Sequence, residues 1–259
     1  MPRANRNFLP GHVWHITHRC HKKEFLLKFS KDRKRWRYWL YVAKKRYGLS
    51  VLNFIITSNH IHLLVVDHGH GEIARSMQLI GGRTAQEYNQ RKKRKGAFWE
   101  DRYHATAVDT EDYLVRCMVY IDLNMVRAGV VSSPEDWCWC GYHEIQKPPK
   151  RYSVINKNAL LELFGVSCFE QYQQVHQCWI KDALKAENNQ RVTAWTQNIA
   201  VGSQDYLTTV KSALGIAGRY RTVTTEDGVH TLKEQVTSYE VHSVAEMETL
   251  SDDNTIYLG

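Results

Sequence analysis

His60 and His62 are the first residues in this sequence whose type and spacing could do chemistry. They open the β-rich run HIHLLVV. Side chains alternate along a strand, so both imidazoles point to one face, with Cα atoms roughly 7 Å apart, while Ile61 points the other way. Paired imidazoles on one face can hold one divalent metal. A lone H-x-H in a chain with 13 histidines carries little by itself. A second set lies further on. Tyr113, Arg116, Tyr120, Asn124 and Arg127 fall on one helical stripe, beside an apolar stripe of Leu114, Cys117, Met118, Ile121 and Met125. Tyr120 and Asn124 are four apart and so are neighbours on a helix surface. A phenol nucleophile beside an amide ligand is the chemistry that pair could do. Taken alone, Tyr120 reads as a half-buried core tyrosine.

The elements that must position these residues are legible over the first 150 positions. His12–Cys20 alternates as a strand, with Val13, His15 and Thr17 on one face. Ser30 offers a cap for a helix over Lys31–Tyr47, stopped by Gly48. Val51–Thr57 and His60–Val66 flank Ser58-Asn59 and read as a hairpin. Glu72–Asn89 reads as a second helix, weakened by Gly81-Gly82. A short strand follows at His104–Val108. Thr110 then caps a third helix over Glu111–Ala128, with Glu111 and Asp112 at its positive end and Gly129 at its stop. The order β-α-β-β-α-β plus a helix is an α+β, ferredoxin-like arrangement: an antiparallel sheet with helices on one side and an added tyrosine-bearing helix. Lys147-Pro148-Pro149-Lys150 reads as a linker. It separates a catalytic domain over residues 8–146 from an extension over 151–259. In that extension, 158–164, 169–186 and 202–214 read as helices, and the pattern fades into polar, irregular sequence after Gly218.

Charge separates the same two regions. The net charge is +8 over 259 residues. Residues 151–259 hold 9 basic and 13 acidic side chains, a net −4, which leaves +12 on residues 1–150. A polyanion would bind the basic part. Arg91-Lys92-Lys93-Arg94-Lys95 is its densest run and reads as phosphate contact. Trp36 and Trp39, among the basic residues of the first helix, read as core. No apolar run reaches the roughly 18–20 residues of a membrane helix, and the first residues carry no apolar signal core. A cytoplasmic, nucleoid-associated protein is expected. The six cysteines lack framework spacing, which favours reduced thiols.

Three ordered stretches together resemble a family. Thr57-Ser58-Asn59-His60-Ile61-His62-Leu63-Leu64-Val65 is similar to the "SNHxHLL" signature of the REP-associated tyrosine transposases, relatives of the small single-tyrosine HUH transposases. Tyr120-Ile121-Asp122-Leu123-Asn124-Met125-Val126-Arg127-Ala128-Gly129 resembles their "YIxLNxVRAG" helix. Gly96–Tyr103 resembles their "G-x-x-W-x-x-R-[FY]" segment, Trp137–Tyr142 falls where they have "W-S-S-Y", and 199–206 resembles a recurring C-terminal element. Met125 departs from the Pro of many members, and Cys138 and Cys140 from the small residues usual there. None of these is a presumed catalytic group.

The resemblance implies a single-stranded DNA endonuclease and strand transferase acting near hairpins. It implies Tyr120 as nucleophile, a 5′-phosphotyrosine intermediate, and His60, His62 and Asn124 as ligands of Mg²⁺ or Mn²⁺. Arg91, Lys92, Lys93, Arg94, Lys95, Arg102, Arg116 and Arg127 are the candidate DNA contacts. A monomer is favoured over a dimer that exchanges the tyrosine helix. Two other readings stay open: a domesticated hairpin binder that does not cut, and a histidine-triad nucleotide hydrolase. The second needs a third alternating histidine, where this chain has Leu64.

Overall fold

The computed structural model describes residues 8–110, 112–186, 192–218, 221–226 and 229–234. Four strands form the first half of the sheet: β1 (Val13–Arg19), β2 (Ser50–Ile56), β3 (His60–Val66) and β4 (His104–Val108). They run β2-β3-β1-β4, each antiparallel to its neighbour. Helices α1 (Ser30–Tyr47) and α2 (Glu72–Lys92) make the crossovers. This is the ferredoxin-like order expected of the sequence. The α1 helix stops at Gly48 in the left-handed region (φ 74), where its N–H returns to the Lys44 carbonyl at 3.0 Å.

The sheet continues where irregular sequence was expected. Strand β5 (Ala200–Val201) pairs parallel to β4, and a hairpin of β6 (Arg221–Glu226) and β7 (Val229–Glu234) completes the order β2-β3-β1-β4-β5-β7-β6. Residues 221–226 and 229–234 are thus strands rather than a fading tail. Thr222, Val223, Thr224 and Thr225 are the β-branched run that the strand uses. The acidic stretch 235–259 lies outside the described residues.

Helices cover both faces, not one. Position 81 of α2 lies against the His18 ring, on the face of β1 that also carries Ile16. Helix α3 (Asp112–Asp122) lies on the opposite face, where Asn53 of β2 donates to Asp122 Oδ1 at 3.0 Å. The long helix expected over Glu111–Ala128 is two pieces. It breaks at Leu123 (φ −84, ψ 7), and α4 (Asn124–Arg127) follows. The Tyr120 carbonyl at this break accepts the Arg127 guanidinium, so a side chain serves a backbone group of the helix end. Glu111 lies outside the described residues.

Helix α3 is held from three sides. Leu114, Cys117, Met118 and Ile121 are fully buried, and each buried aliphatic side chain of this size contributes about 1.5–3 kcal/mol. Asp122 Oδ2 meets His176 Nε2 of α7 (Phe169–Lys185) at 2.8 Å, both side chains fully buried. Helix α5 (Gly141–Gln146) closes over the same spot, and a Cβ on Gly141 would overlap Asn53 Oδ1. The outer edge of β2 is covered by single pairings of Val51 with Ile155 and Ile55 with Cys140. That explains why an edge strand is buried along its whole length.

Candidate active site

Antiparallel register brings the site together. Thr17 of β1 lies opposite His62, and Arg19 opposite His60. His60 and His62 share a face, with ring centroids 5.0 Å apart. On the neighbouring strand, His15 lies opposite Leu64, the place where a third histidine was absent from β3. His15 Nε2 is 2.9 Å from His62 Nδ1, and its Nδ1 is 2.8 Å from the carbonyl oxygen of Trp195. Trp195 belongs to α8 (Ala194–Gln197), about 180 residues on in the chain. Neither His15 nor Trp195 was singled out from the sequence as a site residue. The alternation on β1 did place His15 on one face with Thr17. No local pattern announces Trp195.

Burial sets the charge of these rings. It pushes the His15 imidazole down to about 4, with the Trp195 carbonyl opposing and His104 adding slightly. Burial also holds His62 well below the ordinary histidine value, helped by His15, His60, Arg127 and Arg19. Both are neutral at pH 7, the form in which a histidine ligates metal.

Tyr120 stands over the imidazoles. Its ring is 5.7 Å from that of His62 and 6.1 Å from that of His15, edge-on to both, and 6.3 Å from Trp195. The Arg127 guanidinium lies 4.1 Å above the ring. Asn124 Nδ2 is 3.1 Å from His62 Nε2. His60, His62, Tyr120, Asn124 and Arg127 all line one cleft of about 530 Å³.

The donor chemistry fits a divalent ion. His60 Nδ1 lies 2.7 Å from Asn59 Oδ1, and the Asn59 amide is fixed by its own bond to the Lys23 carbonyl at 3.1 Å. An oxygen acceptor makes His60 Nδ1 the protonated nitrogen and leaves the lone pair on Nε2. Among the described residues, no group of three His, Cys, Asp or Glu side chains converges as a metal site. The third polar side chain in the cleft beside His60 and His62 is of another type, the amide of Asn124. A metal would take its oxygen, which a half-turn of the carboxamide brings to the same place.

The basic residues separate into two groups. Arg102 and Arg127 line the cleft, as do Arg19 and Lys23, which were not foreseen. Arg116 lies outside it, near the Tyr113 ring at 5.9 Å. The 91–95 run ends α2 away from the cleft. Arg91 pairs with buried Asp32, and Arg94 bonds the Ala97 carbonyl at 2.8 Å and Glu24 at 3.5 Å. Lys92 sits 5.2 Å from the Phe29 ring, Lys93 caps the helix with φ 49, and Lys95 is exposed.

Residues 10–124 match the family model described as "Transposase IS200 like". Over that segment the chain is similar to the IS200-like transposases. The matched residues run from just before β1 to Asn124 and contain both histidines and Tyr120. Two solved structures are similar. One is a REP-associated tyrosine transposase bound to a REP hairpin, at 16% identity and a TM-score of 0.48, covering 60% of this chain and 94% of that one. The other is a Deinococcus radiodurans R1 protein described as a transposase, at 12% identity and a TM-score of 0.33, covering 49% and 97%. No curated protein matches the chain. No helix among the described residues is long and apolar enough to cross a membrane.

Proposed function

We propose that this domain nicks and rejoins single-stranded DNA near hairpins, with Tyr120 as nucleophile. The observation that carries the reading is the convergence of Tyr120, His60, His62 and Asn124 in one cleft. In the step proposed, the Tyr120 phenol oxygen attacks the scissile phosphorus. The O–P bond to tyrosine forms and the bond to the 3′ oxygen breaks. The phenol proton passes to solvent, and the departing 3′ oxygen takes a proton from solvent to leave as a hydroxyl. The 5′-phosphotyrosine keeps the energy of the phosphodiester, so the reverse attack rejoins strands without a nucleotide cofactor.

His60, His62 and Asn124 would hold Mg²⁺ or Mn²⁺; the two nitrogens make Mn²⁺ at least as suitable. When bound, the ion would polarise the phosphate oxygens. Arg127 supplies a fixed positive charge against the Tyr120 ring, and Arg102, Arg19 and Lys23 give the cleft mouth the charge a DNA backbone needs. All four presumed catalytic groups come from one chain, which suits a monomer. Residues 8–146 form the catalytic unit, and the extension lends it a wall through Thr196 and Gln197.

The test is incubation with labelled single-stranded hairpin DNA and Mn²⁺ or Mg²⁺, followed by a denaturing gel. A protein-linked DNA band is expected, lost with EDTA and in Tyr120→Phe. Tight hairpin binding with no adduct from either protein would replace this reading with that of a non-cutting binder.

A further inference from the structure

We infer that His15 is a positioning residue that fixes the tautomer of His62 and thereby aims the His62 Nε2 lone pair into the cleft. The metal consequence of this relay rests on the reading above. The relay itself rests on three contacts. His15 Nδ1 is 2.8 Å from the Trp195 carbonyl oxygen. A carbonyl only accepts, so His15 Nδ1 carries a proton. His15 Nε2 and His62 Nδ1 are 2.9 Å apart, a distance that needs one hydrogen between two nitrogens. If His15 held that hydrogen as well, it would be a cation. It is fully buried, and among the contacts found for it no carboxylate faces it. An unpaired charge there is costly. His15 Nε2 therefore accepts, and His62 Nδ1 donates. His62 is left with its lone pair on Nε2, the nitrogen that faces the Asn124 amide at 3.1 Å.

The two rings are held for this exchange. They lie nearly parallel, at 4° and 5.0 Å between centroids. Neither can swing away, because both are buried among the strands that carry them. The Trp195 carbonyl is held in turn. It lies 3.3 Å from the Thr106 hydroxyl of β4, whose single proton is shared with the nearer Asn198 carbonyl at 2.7 Å. The relay thus runs from a backbone carbonyl of the C-terminal region, through His15, to a candidate ligand on β3. His60 has a different orienter, the side chain of Asn59. The two candidate ligands are set by two independent devices that reach the same result, a lone pair on Nε2.

The experiment is long-range ¹H–¹⁵N correlation on ¹⁵N-labelled, metal-free protein at neutral pH, paired with Mn²⁺ titration by calorimetry. Wild type is expected to show His62 protonated at Nδ1. His15→Leu is expected to move His62 toward the other tautomer and to weaken Mn²⁺ binding about 10- to 100-fold, the usual effect of losing such an orienter. His15→Gln keeps an acceptor oxygen for His62 and is expected to restore the tautomer and most of the affinity. That variant keeps the test decisive if His15→Leu fails to fold. A wild-type His62 protonated at Nε2, or a His15→Leu protein with unchanged tautomer and affinity, overturns the inference. Wild type with the expected tautomer that binds no Mn²⁺ upholds the relay and overturns the metal reading instead.

Discussion

At the scale of single residues, the site depends on imidazoles kept neutral by burial. His15 has its folded pKa lowered from 6.5 to about 4. The unfolded chain then binds more protons than the folded one between those values. The stabilising effect is complete above pH 6.5 and is lost as pH falls through about 4. The total is about 3 kcal/mol at 1.36 kcal/mol per pKa unit. Urea unfolding at a series of pH values should show stability falling across this window, and His15→Gln should flatten part of the fall. Arg91 and Arg102 make a second contrast. Asp32 is buried, and its carboxyl is pushed up by that burial while Arg91 opposes the shift. Arg91→Ala should therefore lower stability with little effect on hairpin affinity. Arg102→Ala should weaken DNA binding evenly across sequences, because a cleft-lining cation meets phosphate rather than bases. Thermal melts and binding isotherms on both variants distinguish the two roles. Equal loss of DNA affinity in both would show that the 91–95 run also meets DNA.

At the scale of elements, the tyrosine helix is only as well placed as its anchor. Asp122, two residues after Tyr120, joins Asn53 of β2 and His176 of α7. Asp122→Ala strands two buried polar partners, so a loss of about 2–4 kcal/mol is expected, with cleavage falling further than folding explains. Denaturant midpoints beside adduct yields give the comparison; unchanged stability would mean the triad is not an anchor. Helix α2 offers the opposite sign. Gly82 is helical, exposed and has open space where a Cβ would go. Gly82→Ala should stabilise by about 0.5–1 kcal/mol in the same assay.

This is also the scale at which the sequence was most readable. Period-two and period-3.6 patterns placed β1, β3, α1 and α2 within a few residues, and Gly48 marked a real helix end. Gly81-Gly82 weakened α2 in the sequence, yet the helix runs through both because tertiary packing outweighs propensity. The break at Leu123 was hidden for a related reason. The Arg127 side chain that serves the Tyr120 carbonyl looks, in sequence, like one more basic residue on the stripe. His60, His62, Tyr120 and Asn124 could be found from spacing and resemblance because each pair is local. His15 and Trp195 could not, since their roles exist only through register and a contact about 180 residues apart.

At the scale of the whole molecule, the first 150 residues and the described part of the extension are not two separate structures. They share one continuous sheet, joined where Ala107 and Val108 pair with Ala200 and Val201. That junction places α8 against the site and leaves β4 no free edge. It also orders events during synthesis. Chains elongate at about 5–20 residues per second, so on the order of 10–40 s separate His15 from Trp195 on the ribosome. Once Tyr120 has been made, and for about 4–15 s until Trp195 follows, the nascent chain holds His60, His62 and Tyr120, yet His15 has no carbonyl to orient it. A cleft built this way is finished late: it ripens when the sheet closes, not when its own residues have been made.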